Sequence, residues 1–118
     1  MKEFIGNLFL ARDIAHSAHL NSKSYAQHVA LGSFYEDIIG LADSLAEAYQ
    51  GRHGVMGPIT RKSAKKSTDI IAFLEDSLKT LETERYICVS PTESALQNMI
   101  DEIVALYLST LYKLKFLK

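Results

Sequence analysis

Residues 24–50 read SYAQHVALGSFYEDIIGLADSLAEAYQ, a run without proline in which apolar residues return every three or four positions. Leu31, Tyr35, Ile38, Ile39, Ala42, Leu45, Ala46 and Tyr49 fall on one side of a 3.6-residue wheel, the pattern of an amphipathic helix. Ser24 offers a capping oxygen at its start and Gly51 a stop at its end. One apolar stripe of this length must be covered by other elements, and the flanking sequence supplies three more of the same kind.

Before it, residues 2–20 carry Phe4, Leu8, Ala11, Ala15 and Ala18 on one stripe, with Ile5, Phe9 and Leu20 beside it. The link Asn21-Ser22-Lys23-Ser24 is short and polar. After it, the glycine-rich GRHGVMGP (51–58) breaks the pattern. A third helix is expected over about 67–85, starting at Ser67 or Thr68 or as early as Ile59, with Ile70, Ile71, Leu74, Leu78 and Leu81 inward. Residues 86–89 (YICV) read as an apolar link or a strand-like stub. Ser90-Pro91-Thr92-Glu93 then combines a cap, a proline at the first helical position and a glutamate three after the cap, which opens a fourth helix over 91–117. Its stripe is Leu96, Met99, Ile100, Ile103, Val104, Tyr107, Leu111 and Leu114, and Leu108, Tyr112 and Phe116 form a second seam. The expected architecture is an all-α four-helix bundle in one domain, residues 1–118. The extra seam points to contact with another chain.

Composition narrows the function classes. The 118 residues hold 13 basic and 14 acidic side chains, so no global charge favours DNA or anionic membrane. Cys88 is the single cysteine, which forbids an intrachain disulfide and suits a reducing, cytoplasmic setting. Neither a signal peptide nor a membrane span is legible. The cluster Arg61-Lys62-Ser63-Ala64-Lys65-Lys66 has no interleaved aromatics and reads as a solvated face, not a nucleic-acid surface. No phosphate loop, CxxC pair or nucleophile elbow is present.

Chemistry concentrates in the first half. His16, His19 and His28 lie at or beside the apolar faces of the first two helices, and Gly32, Glu36, Asp43 and Glu47 form a row along the edge of the second. His16 with His19, and Asp43 with Glu47, have the three- and four-residue spacing that lets two side chains meet. Imidazoles with carboxylates suit iron, zinc or manganese. Arg12 offers a purely structural alternative, pairing with Glu36, Asp43 or Glu47. His28 and Asp43 are fifteen positions apart, about 22 Å along one helix. A shared site must therefore join two chains, with antiparallel copies of the second helix crossing near Tyr35 and Glu36.

The segment AHSAHLNSKSYAQHVALGSFYEDIIGLADSLAEAYQG resembles the first two helices of the mini-ferritins, the starvation-induced DNA-protecting branch of the ferritin-like proteins. On that resemblance His16, His28, Asp43 and Glu47 are metal ligands. Gly32 stands where the family has a further acidic ligand, Glu36 is its substitute, and Arg12 and His19 are auxiliary polar groups. His19 competes with His16 for the first position, since His19-Leu20-Asn21 also matches the family's His-Trp-Asn. The resemblance implies a ferritin-like fold, a homo-oligomer of at least two chains and a possible ferroxidase handling iron. The segment HLNSKSYAQH and the ending LQNMIDEIVALYLSTLYKLKFLK are also similar to small tailed-phage proteins. That likeness implies no activity; the competing expectation to the metal site is a non-enzymatic module engaging a host protein or small ligand, through the seam of Leu108, Tyr112 and Phe116 or through a pocket around Arg12 and His19.

Overall fold

A computed structural model describes residues 1–64 and 69–118. Its four helices are α1 (Lys2–Asn21), α2 (Tyr25–His53), α3 (Ile70–Cys88) and α4 (Ser94–Phe116). They pack in a ring, α1 against α2, α2 against α4, α4 against α3 and α3 against α1. The core between them is apolar, built around Phe4, Leu8, Leu31, Phe34, Ile38, Leu45, Leu74, Leu81, Ile100, Ile103 and Tyr107. No helix among the described residues is long and apolar enough to cross a membrane.

The connections fix the directions. Short links make α1–α2 and α3–α4 antiparallel hairpins. The long crossover begins beside the start of α1, where Met1, Lys2, Tyr49, Met56 and Thr60 share one cleft. It then climbs along the back of α1, past Gly6, Phe9, Leu10 and Asp13, and Ala64, Asp69 and Ile70 meet Ile14, Ala18 and Asn21 at the other end. Thus α3 starts where α2 starts and runs parallel to it across the bundle diagonal. Gly6 makes the climb possible: a Cβ there would lie 2.1 Å from the Thr60 carbonyl oxygen, and 3.0 Å is already tighter than real contacts.

Several local readings change. Gly51 is helical, and α2 stops at Gly54, whose φ of +92° suits glycine. The 86–89 stretch is no strand-like stub: α3 continues through Cys88. Asp69 caps α3 by accepting from the Ala72 amide, and the expected start at Ser67 or Thr68 lies outside the described residues. Helix α4 begins at Ser94, not Pro91, because the Glu93 amide bonds back to the Ser90 carbonyl and closes a turn. Phe34 is fully buried although it was absent from the expected stripe, whereas Leu20 is 70% exposed.

Candidate functional site

Three of the four histidines meet at the end of the α1–α2 hairpin. The link of three residues, Ser22–Ser24, brings His19, near the end of α1, level with His28, one turn into α2. Ser24 caps α2 by accepting from the Gln27 amide, which sets the first turn and so the direction of His28. The His19 and His28 rings stack with centroids 3.7 Å apart and planes inclined by 19°. Their hydrogen bonds are reciprocal: His19 Nδ1 donates to the His28 carbonyl at 2.6 Å, and His28 Nδ1 donates to the His19 carbonyl at 2.9 Å. A carbonyl oxygen only accepts, so both rings carry their proton on Nδ1 and leave Nε2 for another partner.

Gly32 is the seat of this pair. A Cβ at position 32 would lie 3.0 Å from Cε1 and 3.2 Å from Nδ1 of His19. The imidazole of α1 thus occupies the space above α2 that a ligand side chain at 32 would need. His16, one turn earlier, stacks flat on Tyr35 with centroids 4.1 Å apart and an 8° tilt, and Tyr35 meets His19 edge-on at 5.2 Å. Of the two histidines competing for contact with His28, His19 makes it.

The carboxylates stand apart from this cluster. Glu36, Asp43 and Glu47 are all exposed, contrary to their expected place beside a burying face. The cause is the ring of helices, which covers α2 on the sides of α1 and α4 and leaves its third side to solvent. Arg12 does not join them in a buried network; it pairs with its neighbour Asp13 at 3.0 Å on the surface. Among the described residues no group of three or more His, Cys, Asp or Glu side chains converges on one point within the chain.

Two polar features outside this region were not legible as such. Arg85, 7% exposed, donates through Nε to Gln97 Oε1 (2.8 Å) and through an Nη to the Gln97 carbonyl (2.9 Å) and Asp101 (2.7 Å). Gln97 returns its amide to the carbonyls of Arg85 and Val89. This clamp closes the α3–α4 hairpin, and the exposed Asp101 anchors its outer end. At the same end His53 Nε2 donates to Glu93 at 2.7 Å and Arg52 approaches the same oxygen at 3.4 Å. The His53 bond holds the Glu93 carboxyl below its usual range, against a smaller opposing pull from desolvation. In the core, burial pushes the Tyr107 phenol well above its ordinary value, while its bond to Ser77 (2.9 Å) works the other way.

The second apolar seam of α4 opens onto a cleft of about 570 Å³ between α3 and α4. Leu108, Tyr112 and Phe116 line it and stay 55%, 54% and 71% exposed. Leu78 and Leu111 form its floor, with Glu75, Lys79, Glu82 and Lys115 around the rim. The cluster on α1–α2 is polar and closed on itself; this face is apolar and open.

Comparison with known proteins bears on these surfaces. Over 113 residues the chain is 31% identical to an uncharacterised 14.6 kDa protein from the mobD–ri intergenic region of enterobacteria phage T4, covering 95% of this chain and 85% of the phage protein. That match supports the likeness to small tailed-phage proteins. No solved structure matches. A family model covers residues 19–114, from His19 through nearly all of α4, and by that match the chain belongs to the family of unknown function DUF5856.

Proposed function

We propose that this protein is a non-enzymatic interaction module that engages another protein through the cleft between α3 and α4. The observation that carries this reading is the seam of Leu108, Tyr112 and Phe116, large apolar side chains left in water along one groove. From Leu108 to Phe116 the seam spans eight residues, about 12 Å of helix, room for two turns of an amphipathic partner helix laid into the cleft. Rim charges of both signs suit a partner with mixed charged flanks. The relationship to a phage protein makes a bacterial host protein the natural partner, met in the host cytoplasm. Replacing Leu108→Asp together with Phe116→Asp leaves the core stripe of α4 untouched. Immobilised wild-type protein should retain a host protein in near-stoichiometric amount that this variant does not, and equal retention by the two would overturn the reading.

A second reading rests on the connectivity. One long crossover joining two antiparallel hairpins is the arrangement of ferritin-like bundles. It supports a ferritin-like homo-oligomer in which the exposed face of α2 packs antiparallel on a second copy. His16 and His28 of one chain would then face Asp43 and Glu47 of the other, with Glu36 as an added carboxylate and Arg12 and His19 alongside. Iron, zinc or manganese would suit that donor set. Elemental analysis together with the solution mass tests it: one or two ions per chain in a dimer or larger assembly, lost in Asp43→Asn with Glu47→Gln. A metal-free monomer after incubation with ferrous iron would sink it.

A further inference from the structure

We propose that His19, His28 and Gly32 form a tautomer-locked clasp that holds the α1–α2 hairpin closed without any metal ion. This goes beyond both functional readings and limits the second. The clasp consists of two imidazole–carbonyl hydrogen bonds running in opposite directions between the same two residues, with the rings stacked between them. Each bond needs the proton on Nδ1, so the tautomer of one ring and the position of the other fix each other. Gly32 is the third member, because even a Cβ there would push the His19 ring by a few tenths of an ångström. A side chain at position 32 would therefore press directly on the clasp.

The stack also restricts what the two histidines can bind. An ion held by an imidazole lies in the plane of that ring, about 2.1 Å from the nitrogen. Planes inclined by 19° at a centroid spacing of 3.7 Å meet only on the order of 10 Å away, far outside such a bond. The pair can give an ion one nitrogen, not two. Any metal bound between copies of the chain would take at most a single ligand from His19 and His28, and the clasp would remain intact beneath it.

Two measurements test this on the full chain. In nitrogen-15 spectra of the wild-type imidazoles at neutral pH, both rings should show the Nδ1–H tautomer in the presence of a chelator. An Nε2–H signature for either ring would overturn the proposal, and this readout needs no variant to fold. The second is thermal unfolding of His28→Asn and His28→Ala, since the asparagine amide can stand in for Nδ1–H. We expect His28→Ala to lower the midpoint by about 5–10 °C and His28→Asn to recover part of that loss. Equal midpoints for the two variants would remove the hydrogen bond from the account. A chelator that lowers the wild-type midpoint as far as His28→Ala does would show a metal holding the hairpin. Failure of the inter-chain metal site would leave all these outcomes unchanged.

Discussion

The two hairpins of the bundle are closed by polar groups of opposite kinds. At the α1–α2 link two imidazole rings exchange bonds with each other's backbone, half-buried at the edge of the core. At the α3–α4 link a single guanidinium, almost out of reach of water, satisfies itself on one glutamine, one carbonyl and one aspartate. A neutral donor stripped of its partner costs the desolvation of one dipole, whereas a stripped buried charge costs several times more. The α3–α4 hairpin should therefore be the brittle one, and the α1–α2 hairpin the tolerant one. The crossover that stitches the two together is more brittle than either, since it depends on backbone pressed against a glycine.

The largest effect is expected at that stitch. Gly6→Ala would drive a methyl group into the Thr60 carbonyl, a backbone atom that cannot swing aside. The crossover must lift from α1, at a cost of about 3 kcal/mol and a fall of roughly 10–15 °C in the unfolding midpoint. If thermal unfolding of Gly6→Ala matched wild type, the crossover would not run along the back of α1.

Next comes the direct comparison of the two links. Gln97→Ala removes the acceptor of Arg85 Nε and the amide that caps the end of α3. About 2–3 kcal/mol should be lost. His19→Ala, at the other link, removes one neutral bond and a stack, for about 1–2 kcal/mol. Urea unfolding of the two variants side by side decides the ranking, and a larger loss for His19→Ala would reverse it.

Helix number, order and most of the core were legible from periodicity, because each stripe is read from residues on its own helix. At three places the misreading has one physical cause: the residue that decided the matter lay on another element. Arg85 looks like a surface arginine near the end of a helix, and only Gln97, twelve residues on, makes it a buried clamp that keeps α3 helical through Cys88. Ser90-Pro91-Thr92-Glu93 carries a helix-start pattern, and Glu93 does bond back to the Ser90 amide. Its other oxygen, however, faces His53 and Arg52 of α2, and residues 90–93 become a turn. At the histidine cluster the wheel showed which residues share a face; the meeting of His19 with His28 depends on a link of only three residues. Gly32 could not be read as a seat for His19 until the ring above it was known.

A milder contrast lies on α4 itself, between its inner and outer faces. Tyr107→Phe deletes a buried hydroxyl whose partner is Ser77, leaving that serine half-buried and without this bond. A loss of about 1 kcal/mol is expected. Tyr112→Ala on the outer seam removes a ring that is already 54% exposed and should change stability by less than about 0.5 kcal/mol. If Tyr112→Ala destabilised the isolated chain as much as Tyr107→Phe, the seam would be part of the core, and the case for it as a docking surface would collapse.

The smallest effect separates the closed end of the bundle at two pH values. The Glu93 carboxyl is held below its ordinary range chiefly by the His53 bond, so the folded chain keeps it ionised at acidities where the unfolded chain protonates it. Such a group stabilises the fold above the unfolded carboxyl value of about 4.3, and its contribution disappears as pH falls through the lowered folded value. Glu93→Gln should therefore unfold slightly earlier than wild type at pH 7, and the difference should close on acidification below about pH 4. Thermal unfolding across that range gives the answer. A gap that widens toward acid would mean that Glu93 is not the ionised partner of His53 and Arg52, and that the ends of α2 and α4 are joined by packing alone.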